Sequence, residues 1–291
     1  MPYVGAIYRP PSEARSFILQ VTVGCSHNRC TFCSVYKDKR FQIKSLEEIA
    51  EDLKEVREYA PHIKRVFLAD GDALIIPQKK LVKIMEMVNE TFPDLERVGI
   101  YGNAKSILRK SVEELKALRD LKLEIVYIGL ESGNDEILKK VKKGDTTANM
   151  IEAASRIHAA GITLSVTVIL GLGGKEMSRI HAIDTGKVLS QMDPEFAAAL
   201  SLMLVPPAPL CKEYEEGRFH LPGPFEMLEE LALIIAHMDV THCFFSSNHA
   251  SNYLPVQVWL PEGKEEILAL IREVIEKHDR NILRPEAYRG L

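Results

Sequence analysis

Three cysteines fall within nine residues, Cys25, Cys30 and Cys33, in the run Val23-Gly24-Cys25-Ser26-His27-Asn28-Arg29-Cys30-Thr31-Phe32-Cys33. Structural zinc closes a tetrahedral shell with four ligands, whereas iron–sulfur clusters are held by cysteine thiolates. Three thiolates are one short of a closed set, so a metal group they hold keeps an open position. A four-iron cluster on this spacing has one iron left for a substrate or cofactor, which makes redox catalysis the leading idea. The competing reading is a zinc knob completed by His27 or another residue.

Other chemistry-bearing residues recur at the ends of short apolar runs. Asp70-Gly71-Asp72 follows Val66 to Ala69, Glu131-Ser132-Gly133 follows Ile125 to Leu130, and Gly171 to Glu176 follows Leu164 to Leu170. Each has an ordinary alternative: Asp70 and Asp72 as helix caps, Glu131 to Gly133 as a turn, Lys143 as a solvated lysine. The glycines at 171, 173 and 174 do not form a dinucleotide fingerprint, because no acidic residue follows a second strand at the required distance.

The elements that must position these residues alternate strand and helix. The strands expected are Ile18 to Val23, Val66 to Ala69, Arg97 to Tyr101, Ile125 to Leu130, Leu164 to Leu170 and Ala197 to Leu204, short and rich in Val, Ile and Leu as buried parallel strands are. Between them, Leu46, Ile49, Leu53 and Val56 recur at helical spacing, and Leu81, Ile84, Met85 and Val88 repeat the pattern. Ser111 and Glu114 have capping-box spacing, and Gly161 reads as the C-cap of a helix from Thr147 to Ala160. Six strand–helix repeats imply right-handed parallel crossovers, so the fold class is α/β: a partial (β/α)6 TIM-like barrel with a C-terminal α/β extension. Such barrels carry their chemistry at the C-terminal ends of the strands, where the residues above fall. Residues 1–205 are expected to form the barrel and residues 206–291 an extension packing on it. The prolines at 206, 207 and 209 mark the change. A helix is expected over Pro224 to Met238, a seventh strand near Thr241 to Phe245, a polar loop over Ser246 to Asn252, and a last helix over Lys264 to Lys277.

The chain has 291 residues, is 46% hydrophobic and carries a formal net charge of −4, enough for a large core and against a broadly basic nucleic-acid surface. No apolar run approaches the roughly 18 residues of a membrane span, and Met1-Pro2-Tyr3-Val4 lacks the regions of a signal peptide. With five cysteines, three clustered and Cys211 and Cys243 apart, no disulfide framework is suggested and a reducing cytoplasmic setting is expected.

The cysteine run with Phe32 between its last two cysteines, placed after the first strand, resembles the radical S-adenosylmethionine (SAM) superfamily. The spacing is Cys-x4-Cys-x2-Cys, one residue longer than the common form of that family, and the texture is similar to its elongator-type and methylthiotransferase-type members. The resemblance implies that Cys25, Cys30 and Cys33 ligate three irons of a [4Fe-4S] cluster, with the methionine end of SAM on the fourth. It places Asp70-Gly71-Asp72-Ala73 at the family's Gly-Gly-Glu-Pro motif, with backbone and acid toward the methionine ammonium. It implies SAM contacts for Glu131 and Ser132, for Lys143 with the SAM carboxylate, and for Gly171 beside the adenine, with apolar contacts from Phe32 and Val205. Substrate contacts are expected from Tyr36, Cys243, Asn248 and His249.

The implied reaction is reductive SAM cleavage to a 5′-deoxyadenosyl radical that takes hydrogen from a small-molecule or peptide substrate. The electron would come from a donor such as flavodoxin or ferredoxin, and neither nucleic acid nor a membrane is expected as a partner. The alternatives are an RNA-modifying enzyme of the same family and a non-catalytic iron–sulfur carrier or redox sensor.

Overall fold

The structure, a computed structural model, describes residues 3–290. In chain order the elements are β1 Phe17–Gln20, β2 Thr22–Val23, β3 Gln42–Ile43, α1 Leu46–Tyr59, β4 Arg65–Ala69, α2 Gln78–Thr91, β5 Arg97–Gly102, α3 Ala104–Leu108, α4 Val112–Asp120 and β6 Leu123–Glu131. They continue with α5 Asp135–Lys140, α6 Thr147–Ala159, β7 Thr163–Leu170, α7 Gly174–Met192, β8 Phe196–Ser201, α8 Pro209–Glu215, α9 Pro224–His237, β9 Cys243–Ser246, β10 Gln257–Leu260 and α10 Lys264–Lys277. The fold is α/β with mostly parallel strands, as the alternation requires.

The chain divides into two compact units. The first holds the described residues up to Asn28, Val35–Ile128 and Ser155–Leu164; the second holds Arg29–Ser34, Gly129–Ala154 and the chain from Ser165 onward. The segment after residue 205 therefore shares its unit with β8 and with β7 from Ser165 onward.

In the first unit β1, β4, β5 and the start of β6 pair in parallel, in that order. Val66, Phe67, Leu68 and Ala69 of β4 are all buried, the continuous apolar run of a strand covered on both faces. On one face Phe67 and Ala69 meet Ile125 and Tyr127, with Ile7, Ile18 and Tyr101 packed against them. On the helical side α2 buries Leu81, Ile84, Met85 and Val88, the positions its periodicity marks. Reciprocal capping boxes at Ser45/Glu48 and Ser111/Glu114 start α1 and α4, each worth about 1 kcal/mol.

The expected first strand is two strands. After β1 the chain turns, and β2 pairs antiparallel with β3 instead of extending the sheet. That two-stranded ribbon closes the base of the segment bearing Cys25.

In the second unit β7, β8 and β9 are parallel, and β10 pairs antiparallel with β9. The seventh strand lies at Cys243–Ser246, and α10 spans the range expected of the last helix. β10 and α8 are not anticipated by the sequence. Pro255 and Pro261 flank only four strand residues, and the 206–209 prolines read as breakers although Pro209 opens α8 at its first position, where a missing N–H costs nothing.

Candidate active site

Within the first unit, the strand ends gather on the segment around Cys25. Asp70, directly after β4, is buried. Its Oδ2 accepts from Gln20 Nε2 at 3.0 Å, from the Gly24 amide at 3.0 Å and from Lys39 Nζ at 3.3 Å, while its own amide donates to Thr22 Oγ1 at 2.8 Å. Asp72, also buried, accepts from Asn103 Nδ2 at 2.7 Å and from the Ser26 hydroxyl. Asn103 is in turn the N-cap of α3, so the end of β5 orients the acid that follows β4. Between the two acids, a Cβ on Gly71 would sit 2.6 Å from the Tyr36 ring and 3.2 Å from Cys25 Cβ. Only glycine lets this strand end approach the cysteine segment.

Cys25 is a half-buried free thiol. Asn28 Nδ2 donates to the carbonyls of Tyr36 at 2.6 Å and Lys39 at 3.4 Å, and Lys37 Nζ returns to Asn28 O at 2.8 Å. Tyr36 is buried, edge-on to Tyr8 with centroids 5.9 Å apart.

Within the second unit, Cys30 and Cys33 are half-buried on a stretch held through Thr31. The Thr31 amide donates to Val141 O at 2.9 Å, and its carbonyl accepts from the Leu210 amide at 2.9 Å. Phe32 packs against the apolar cluster of Ile137, Val141, Leu172, Leu202 and Leu210. Val205 is half-buried in the turn after β8 and accepts from the Ala208 amide at 3.1 Å.

At the end of β6, Glu131 has φ +65°, a left-handed conformation that costs a non-glycine residue on the order of 1 kcal/mol. Its Oε1 accepts from Lys143 Nζ at 2.7 Å in a pair whose side chains are about one-eighth exposed. Gly129 makes room for that pair: a Cβ there would lie 2.0 Å from Glu131 Oε1 and 3.1 Å from Lys143 Nζ. The carboxylate thus orients the lysine head group rather than leaving it solvated.

Ser132, expected among the SAM contacts, follows directly after β6. It is fully buried, its hydroxyl lies 2.8 Å from His181 Nδ1, and it accepts from the Asn134 amide at 3.1 Å. His181 Nε2 faces the Ile169 carbonyl at 3.0 Å, and a carbonyl can only accept, so Nε2 carries the proton and Nδ1 accepts from Ser132. Burial pushes the His181 pKa down to about 4, against the hydrogen bond to Ile169 and the charge of Asp184, which raise it. Gly133 seats directly on α7, its amide donating to Thr185 Oγ1 at 2.9 Å. Ser132 is therefore a support for the strand end.

Gly171, with φ +82°, begins the loop after β7. Its amide donates to Glu230 Oε2 at 2.6 Å, from a carboxyl buried on α9. Burial raises the Glu230 pKa to about 7, opposed by hydrogen bonds from Ser178 and Gly171. His181 Nε2 is 3.9 Å from the same oxygen.

The expected substrate residues separate. Cys243 is fully buried at the first residue of β9, the end of the strand remote from the other site residues of this unit, and burial pushes its thiol up to about 12. That placement suits a small core residue. Asn248 is exposed and His249 half-buried on an ordered loop. Asn252 holds the loop to β8, its side chain bonding Ser201 Oγ at 2.9 Å and Ala199 O at 2.8 Å, and Arg284 donates to His249 O at 2.8 Å. Burial, then the Arg284 charge, lowers the His249 pKa.

Several supporting residues went unread in the sequence. Ser26 lies inside the cysteine run, and Asn103 ends a strand as the chosen residues do, so the same logic applied to β5 finds it. Glu230 is a lone acid on the helix face of Met227, Leu231 and Ile234, a buried-polar signal in plain view.

A [4Fe-4S] cluster and SAM suit these groups by the chemistry of the donors. Cys25, Cys30 and Cys33 offer three soft sulfur donors, all half-buried and none sealed in the core. No metal-ligand group of three or more His, Cys, Asp or Glu side chains is assembled among the described residues, so the fit rests on donor chemistry and not on a preformed cage. No helix among them is long and apolar enough to cross a membrane.

The profile of the Radical SAM superfamily matches residues 19–185, more than half of the chain. The chain is 24% identical over 197 residues to the heme chaperone HemW of Bacillus subtilis (strain 168), a match covering 65% of this chain and 50% of that protein. It is 26% identical over 163 residues to the tRNA-2-methylthio-N(6)-dimethylallyladenosine synthase of Clostridium botulinum (strain Okra / Type B1), covering 53% of this chain and 35% of that protein. The chain thus spans half or less of the length of these curated relatives. Coproporphyrinogen III oxidase (HemN) from Escherichia coli, itself a radical SAM enzyme, shares the fold with TM-score 0.57 at 16% identity, over 76% of this chain and 51% of that one. On the extent of the profile match, with the cysteine run inside it, the chain belongs to the radical SAM superfamily, whose enzymes use a [4Fe-4S] cluster and S-adenosylmethionine.

Proposed function

We propose that this protein cleaves SAM reductively and takes a hydrogen atom from a bound small-molecule or peptide substrate. The observation that carries the reading is the Cys25, Cys30 and Cys33 spacing directly after the first strands of a chain of this family. Those three thiolates would hold three irons, leaving the fourth for the methionine end of SAM. When bound, the cluster supplies the electron that breaks a sulfonium C–S bond and releases a 5′-deoxyadenosyl radical.

The chain's own residues bind and orient. Asp72, fixed by Ser26 and Asn103, sets a carboxylate for the methionine ammonium, and Gly71 brings backbone close to it. Lys143, aimed by Glu131, sets an ammonium for the methionine carboxylate. Each charge suits one end of a zwitterion. Phe32, Val205 and the Gly171 backbone supply the apolar and close-approach surfaces that a planar adenine needs. Tyr36, Asn248 and His249 are the proposed substrate contacts, and a flavodoxin or ferredoxin the proposed electron donor.

The net charge of −4 favours a small molecule or peptide over RNA. An RNA substrate is the second reading, and the tRNA-modifying relative favours it. Reconstituted protein is given SAM and reductant with metabolite, peptide and total tRNA fractions prepared in deuterated form. Deuterium in 5′-deoxyadenosine from the metabolite or peptide fraction supports the first reading. Deuterium from the tRNA fraction alone replaces it with the second.

A further inference from the structure

The family motif has a glycine where this chain has Asp70, and that substitution puts a buried carboxylate beside the segment bearing Cys25. We propose that Asp70 is a positioning residue that ties together both ends of the cysteine loop, residues 24 to 39. The proposal rests on the reading of Cys25 as a cluster ligand.

A carboxylate desolvated at a strand end is costly unless charge and hydrogen bonds compensate it. Asp70 is fully buried, and one of its oxygens, Oδ1, has no hydrogen-bond partner among the described residues. The other oxygen takes all three donors. One is the Gly24 amide, immediately before Cys25, at 3.0 Å; the second is Lys39 Nζ, where the loop returns, at 3.3 Å; the third is Gln20 Nε2, on β1, at 3.0 Å. The Lys39 side chain is almost completely buried, supplies the counter-charge, and also donates to Ala6 O. A Cβ on Gly24, whose φ is +77°, would lie 3.3 Å from Lys39 Cβ, so the two ends approach closely here. The ribbon of β2 with β3 closes the chain just outside the same point. A single oxygen thus fixes where the loop leaves and where it comes back. Asp72, two residues on, is bonded instead to Ser26 and Asn103, so the two acids divide the work.

The test uses the full-length protein with Asp70→Asn and, separately, Lys39→Gln. In metal-free protein the alkylation rate of each cysteine is read by mass spectrometry. We expect Cys25 to react at least tenfold faster in Asp70→Asn and severalfold faster in Lys39→Gln, with Cys243 unchanged as the internal control. In reconstituted protein the midpoint potential should rise in Asp70→Asn, which removes a negative charge, and fall in Lys39→Gln, which removes a positive one. A general loss of packing would not give opposite signs. Unchanged Cys25 reactivity, a parallel rise at Cys243, or potentials moving in one direction overturns the proposal. Should wild-type protein fail to take up iron while the alkylation result holds, the cluster reading fails and the anchoring stands.

Discussion

Replacing Glu230 by Gln should stabilise the protein above neutral pH, by an amount set by the burial of that carboxyl. Glu230 titrates near 7 in the folded chain, against 4.5 for an ordinary glutamate, because burial disfavours its charged form. Between those values the folded state holds a proton that the unfolded state has released, so stability falls as pH rises through the interval. At ~1.4 kcal/mol per pH unit the gap corresponds to about 3 kcal/mol lost by pH 8. Glutamine reproduces the neutral form and can still accept from the Gly171 amide, so the variant avoids that loss. His181 works in the opposite sense. It titrates near 4 when folded and 6.5 when not, so the unfolded state gains the proton first and stability is lost as pH falls from 6.5 toward 4. The two slopes oppose each other between 4.5 and 6.5 and nearly cancel in the parent protein. Urea denaturation followed by far-UV circular dichroism and by fluorescence of the single tryptophan, Trp259, measures both proteins from pH 4.5 to 8. The difference between them should grow by about 3 kcal/mol from pH 4.5 to 8, and the variant should expose the His181 slope below 6.5. A difference that does not change with pH refutes the reasoning.

The remaining expectations concern the groups proposed for SAM. Gly129→Ala should drive Glu131 off Lys143, because the new methyl overlaps Glu131 Oε1, and SAM affinity by calorimetry should fall roughly tenfold; unchanged affinity removes the pair from the site. Asp72→Ala deletes a charge-assisted contact worth about 1.5–3 kcal/mol, so SAM binding should weaken by one to two orders of magnitude with circular dichroism unaltered. Ser132→Ala removes the nearer partner of His181 Nδ1, leaving Thr185 Oγ1 at 3.5 Å, and strands the Asn134 amide, so it should cost about 1–3 kcal/mol in urea denaturation while SAM affinity holds. Lost SAM binding at unchanged stability would restore Ser132 as a direct contact.

The alternation of strands and helices was legible because β4 and α2 obey clean periodicities, an unbroken apolar run in one and a four-position stripe in the other. The strand-end positions of Asp72, Glu131 and Gly171 followed from that alternation together with the placement rule of such folds. What the side chains do there was less legible. Ser132 and Asp70 sit at the expected positions, yet their oxygens turn to His181 and to Gly24 and Lys39, partners 49, 46 and 31 residues away in sequence. Such long-range pairing leaves no periodic trace. Cys243 borders a polar loop in sequence, but the direction of β9 puts it at the opposite strand end. β10 escaped notice because a four-residue edge strand between prolines carries too little pattern to count.

The central claim is that Cys25, Cys30 and Cys33 hold a cluster that opens SAM. Anaerobic reconstitution with iron and sulfide, then dithionite and SAM, with 5′-deoxyadenosine quantified by mass spectrometry, tests it in wild-type protein and in Cys30→Ala. The expected result is 5′-deoxyadenosine from the wild type and none from Cys30→Ala, whose circular dichroism stays native. Equal 5′-deoxyadenosine from both, or none from a wild type that carries a reducible four-iron cluster and is supplied with every substrate fraction, contradicts the claim.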